Sequence, residues 1–95
     1  MDYLKLFDDF IAEIETDETK TGGITYILLF INKKGNIGYN VATSLIYLVS
    51  NFYDYDFNDN IVPEHILNIE LNNVDAEKGA IYKRNGNKFQ RLINS

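Results

Sequence analysis

The chain has no cysteine and a single histidine among its 95 residues. Without cysteine there is no disulfide framework, no thiolate nucleophile and no cysteine-ligated zinc or iron–sulfur centre; a reducing compartment suits such a chain. Long apolar runs are missing as well. The longest, residues 24–31, is too short to cross a bilayer. The start, MDYLKLFDDF, carries acids where a secretory leader needs bases and a continuous apolar core, so a cytoplasmic location is the expectation. Neither a Gly-x-Gly-x-x-Gly nor a Gly-x-x-x-x-Gly-Lys pattern is present. Gly35-Asn36-Ile37-Gly38 belongs to a hairpin, not to a strand-to-helix phosphate loop. No Gly-x-Ser-x-Gly elbow offers a serine nucleophile. His65 stands beside Glu64, but sequence neighbours point to different sides of a helix or strand, which makes a poor general-base dyad. These absences exclude most enzyme classes, and no cofactor is expected.

What is present suits one globular domain spanning residues 1–95, with an apolar fraction of 45% and a net charge of −5. That charge is unevenly spread. Residues 1–77 hold 14 acids and 4 bases, a balance of −10, whereas residues 78–95 hold 5 bases and no acid. An acidic body with a basic tail repels nucleic acid over most of its surface and attracts it at one end.

Residues 2–16 place Tyr3, Leu4, Phe7, Phe10, Ile11 and Ile14 on one stripe of a helix, with Asp8, Asp9, Glu13 and Glu15 mostly on the other side. The polar run DETKTGG reads as a stop and turn. Residues 24–31 are apolar on both alternating faces, as in a central buried strand, and residues 37–41 return antiparallel after a glycine-containing loop. Leu45, Leu48, Val49, Phe52 and Tyr53 recur at helical spacing and predict a second helix, with Thr43 or Ser44 as its cap. A short turn of helix is expected at Val62-Pro63-Glu64, and a strand at residues 67–71, where apolar and polar residues alternate strictly. Asn85-Gly86 between two alternating arms signals a terminal hairpin. The expected fold is α+β, in the order α-β-β-α-β-β-β: a mainly antiparallel sheet with two helices over one face.

The stretch NFYDYDFNDN, residues 51–60, interleaves rings with carboxylates and amides. As an EF-hand loop starting at Asp54 it supplies Asp56, Asn58 and Asn60, but Asp59 takes the obligatory glycine position and His65 the bidentate glutamate position. No metal site is assigned. Protein docking fits the stretch better, because aromatics give contact area at low entropic cost and carboxylates steer toward basic partners. Helical spacing assigns Phe52 and Tyr53 to the core and leaves Tyr55 and Phe57 as surface anchors. The expected docking set is therefore Asp8, Asp9, Glu13, Asp54, Tyr55, Asp56, Phe57 and Asp59, occluding a basic surface that itself binds nucleic acid. Small acidic phage-encoded inhibitors, anti-CRISPR proteins among them, share this profile of size and charge without a shared motif, as do immunity proteins for nuclease toxins. The alternative is direct nucleic-acid binding by Lys83, Arg84, Lys88 and Arg91, with Tyr82 and Phe89 nearby as stacking rings. No membrane partner is expected; acid–aromatic composition also permits a homodimer.

Overall fold

The computed structural model describes residues 2–17, 22–57 and 61–95. Helix α1 (Tyr3–Glu15) starts where Asp2 caps it. The Asp2 carboxylate accepts from the Leu4 amide at 3.2 Å and from the Lys5 amide at 3.3 Å. The expected stripe forms, and it buries Phe7 and Ile11. Strands β1 (Tyr26–Ile31) and β2 (Ile37–Ala42) follow as an antiparallel pair. The loop between them is tied by the Asn32 side chain, which accepts from the Lys34 and Asn36 amides at 2.9 and 3.0 Å. Strands β3 (Gly79–Asn85) and β4 (Lys88–Asn94) make the terminal hairpin, and the sheet order is β2-β1-β3-β4, antiparallel throughout. Because Asn85 pairs with Lys88, the two turn residues are Gly86 and Asn87, one position later than the Asn-Gly signal suggests. Gly86 has a φ of 69°, whereas Asn87 is not in the positive region. That is the pattern of a type II′ turn.

The α+β class and the antiparallel sheet follow the sequence; three details differ. Residues 45–53 are not one α-helix. They form two short 3₁₀ turns, Leu45–Leu48 and Phe52–Asp54, separated by extended backbone at Val49. The reason lies in long-range hydrogen bonding. The Ser50 amide donates to Glu70 at 3.0 Å, and the Leu48 carbonyl accepts from Asn40 Nδ2 at 2.8 Å. An α-helix needs both groups for its own ladder, so it cannot continue through them. Ser44 precedes the first turn without a side-chain capping bond.

Residues 67–71 are helical, not extended: they lie within α2 (Pro63–Asn73), which has proline at its start and Glu64 in its first turn. Ile66, Leu67, Glu70 and Leu71 are its buried residues, a helical stripe in which a glutamate takes one apolar place. Among the described residues the sheet therefore has four strands, not five.

The two helices lie on opposite faces, not on one. Ile27 and Leu29 join Ala80, Tyr82 and Phe89 beneath Phe7 and Ile11 of α1. Leu28 and Ile81, on the other face, pack under Leu48 and Val49 of the 3₁₀ segment and Ile66, Leu67 and Leu71 of α2. A strand apolar on both faces requires cover on both sides, and β1 dictates this three-layer arrangement.

At the start of β3, Gly79 passes directly under α2. A Cβ there would stand 2.7 Å from a Leu71 methyl and 2.8 Å from the Leu29 carbonyl oxygen. Backbone cannot yield as a side chain does. Gly79→Ala is expected to cost about 1 kcal/mol, a fall in Tm of roughly 4–8 °C for a chain this size, read by thermal denaturation.

Candidate docking surface

The 3₁₀ segment crosses the sheet face that α2 shares, and it is fastened from below. Glu70, fully buried, accepts from the Ser50 amide, from the Ser50 hydroxyl, from Asn40 Nδ2 and from Asn73 Nδ2, the last at 3.1 Å. Asn73 also donates to Asn51 Oδ1 at 2.7 Å. Four donors around one carboxylate replace the water it loses on burial. Among the described residues no buried side-chain nitrogen or oxygen lacks a partner.

Above this anchor the rings turn outward. Tyr47 and Phe52 meet edge to face at 4.9 Å, Phe52 and Tyr53 at 5.8 Å, and Tyr55 and Phe57 lie 5.8 Å apart. Tyr53 is 77% exposed, Tyr47 50%, and Phe52 and Tyr55 just over a third each. Core placement of Phe52 and Tyr53 is thus corrected: without an α-helix their spacing no longer directs them inward, and Leu48 and Val49 fill that role. Phe57, expected as a surface anchor, packs partly against the α2-side core. Asp54 and Asp56 are exposed among these rings, and among the described residues neither has an ion-pair partner. Asp59 lies outside the described residues, as do Asn58 and Asn60.

The helix acids stand elsewhere. Helix α1 covers the opposite face of the sheet, so Asp8, Asp9 and Glu13 do not form one surface with Asp54 and Asp56. Asp8 is tied into the fold. It accepts from the Tyr82 hydroxyl at 2.6 Å and pairs with Arg91 at 3.3 Å. Burial, then the Asp8 carboxylate, push the Tyr82 phenol well above its ordinary range. Asp9 pairs with Lys5 one turn away at 3.0 Å, and Asp9 holds that exposed ammonium above its usual value. Glu15 accepts from the Phe89 amide at 2.6 Å. Glu13 alone of the three expected acids stays exposed without a side-chain partner among the described residues.

The four cations of the terminal hairpin divide between its faces. Register places Arg84 and Arg91 with the α1 side and Lys83 with the α2 side. Arg84 donates to the Ile24 carbonyl at 2.7 Å and lies 4.9 Å from the Phe89 ring centre, while Arg91 holds Asp8. Lys83 lies 5.8 Å from the Tyr26 ring centre, and Lys88 is exposed. Tyr82 and Phe89 are core, which removes both as stacking platforms.

His65 is exposed on α2. Among the described residues no three acidic or histidine side chains stand together as a metal cage requires, and no helix is long and apolar enough to cross a membrane. No protein-family model, curated protein or solved structure matches the chain.

Proposed function

We propose that the protein is a non-enzymatic docking protein that covers a basic, nucleic-acid-binding surface of a partner protein, in the manner of a small acidic inhibitor. The observation that carries this reading is the exposed aromatic turn, Tyr47, Phe52, Tyr53 and Tyr55, with Asp54 and Asp56 set among its rings. Exposed rings held on a fixed backbone lose little entropy on contact, and aromatic anchors dominate interface energies. Carboxylates without local partners offer their charge to a basic surface and speed encounter. The acidic balance of residues 1–77 adds long-range attraction of the same sign.

Direct nucleic-acid binding has less support. Of the cations it would use, Arg84 and Arg91 serve the fold, and Lys83 is on the other face of the hairpin from both.

The test is capture from host lysate at low salt, in nuclease-treated and untreated halves, followed by affinity measurement with the purified partner. A basic protein retained after nuclease treatment is expected, binding at least about tenfold more weakly to Asp54→Lys/Asp56→Lys and losing affinity as salt rises. Retention that depends on intact nucleic acid would overturn the reading.

A further inference from the structure

Strand β2 is an edge: it pairs with β1 alone, and among the described residues no strand adjoins its outer side. Exposed edges are usually blunted by charge, proline or a bulge. The opposite edge, β4, carries Lys88 and Arg91, and the β3–β4 ladder is interrupted by a register shift. Strand β2, Ile37-Gly38-Tyr39-Asn40-Val41-Ala42, has no charged residue and no proline, and its pairing with β1 is regular. Beside it runs a groove of about 580 Å³, floored by Ile27 and walled by Phe10 and Ile14 of α1 and by Tyr39 and Val41 of β2, with Thr16 and Asp17 also in its lining. Tyr39 and Val41 are 55% and 42% exposed. Helix α1 is held toward the β3–β4 side of that face by Asp8 on Tyr82 and Arg91 and by Glu15 on Phe89. Among the described residues the β2 end is left partly open, with the Phe10 ring 5.6 Å from that of Tyr39. Glu13 stands at the rim.

We infer that this edge takes an extended, basic segment of the partner protein as a fifth strand, with an apolar side chain in the groove and a lysine or arginine against Glu13. Main-chain hydrogen bonds supply affinity in this mode and alternate side chains supply selectivity. A second copy of the chain is the poorer occupant. Pairing two β2 edges would bring two bodies of net charge −5 together with the same acid at each rim. The inference rests on the reading of the partner as basic, and adds to the aromatic turn a contact on the other side of the sheet.

The test uses amide chemical-shift mapping of the whole protein with a synthetic probe peptide that alternates lysine with valine around one phenylalanine. Shifts are expected at Gly38, Tyr39, Asn40, Val41, Phe10 and Ile14. Methylating alternate backbone nitrogens of the probe should abolish them. Replacing its lysines by glutamates, or Val41→Lys in the protein, should weaken binding by about tenfold. Shifts confined to residues 47–57 would overturn the β2 site while leaving the docking reading intact. Equal binding of the lysine and glutamate probes would overturn it too, as would a dimer that the probe cannot dissociate in sedimentation. Conversely, loss of β2 binding in Val41→Lys, together with unchanged partner capture by Asp54→Lys/Asp56→Lys, would sink the aromatic turn and keep the edge.

Discussion

Replacing Glu70 with alanine is expected to lower the unfolding free energy by about 3 kcal/mol, measured by chemical denaturation. The carboxylate is wholly buried and accepts from four donors on Asn40, Ser50 and Asn73. Hydrogen bonds to a charged group contribute about 1.5–3 kcal/mol each, net of the bonds to water that they replace. Ser50 and Asn73 are exposed enough for water to recover part of the loss, so the total stays well below the sum. Glu70→Gln should cost less, about 1–2 kcal/mol: it keeps one acceptor but turns an amide donor toward a ring of donors. If glutamine and alanine proved equally costly, the charged acceptor and not the side chain's shape would be the whole contribution, since glutamine keeps that shape. If both were neutral, the network would have no stabilising role.

The same change reaches the docking surface without touching it. Glu70 holds the backbone from which Phe52 and Tyr53 project, through the Ser50 amide and, by way of Asn73, Asn51. Freed from that tie, the turn must lose its ordering entropy at the moment of contact. The Glu70 variants are therefore expected to lose partner affinity even where they remain folded, with amide exchange rising first in residues 50–55.

Periodicity made the first helix, the first two strands and the terminal hairpin legible, because their buried residues recur at spacings of their own element. It failed where a distant polar side chain intervened. Glu70 made the stripe of α2 look polar at a buried position, and the remaining Leu67, Ile69 and Leu71 mimicked strand alternation. Glu70 and Asn40 also took the backbone groups on which a helix at residues 45–53 depends. No local pattern carries that information, since those partners lie 20 and 8 residues away. The candidate site was half legible. Acid–aromatic composition pointed to Asp54, Tyr55 and Asp56, while Phe52 and Tyr53 reached the surface only because the helix did not form, and Tyr47, outside the expected stripe, carried no signal of its own. Asp8 looked like a surface acid for a related reason: Tyr82 and Arg91, which claim it, are 74 and 83 residues away.

Asp8→Ala should accordingly behave as a stability variant, not a docking variant. Tyr82 is only 2% exposed. In the variant its hydroxyl loses a charged acceptor that stands at 2.6 Å. The expected cost is about 2 kcal/mol. The half-exposed Arg91 pair adds little. A double-mutant cycle separates the two partners: coupling of Asp8 to Tyr82 should exceed its coupling to Arg91. The same hydrogen bond sets an alkaline limit on the fold. Tyr82 keeps its proton well above the ordinary value of 10.0, whereas the unfolded chain releases it there. Above that pH the native state binds more protons than the unfolded state, so stability falls as pH rises; below it the contribution is complete. The exposed Lys5 and Lys33, also raised by their carboxylate partners, act in the same direction but weakly. Tyr82→Phe should flatten the decline between pH about 9 and about 11 relative to the parent protein, measured as denaturation midpoints across that range. An unchanged slope would mean that the phenol ionises alike in both states, and that Asp8 holds no proton on it.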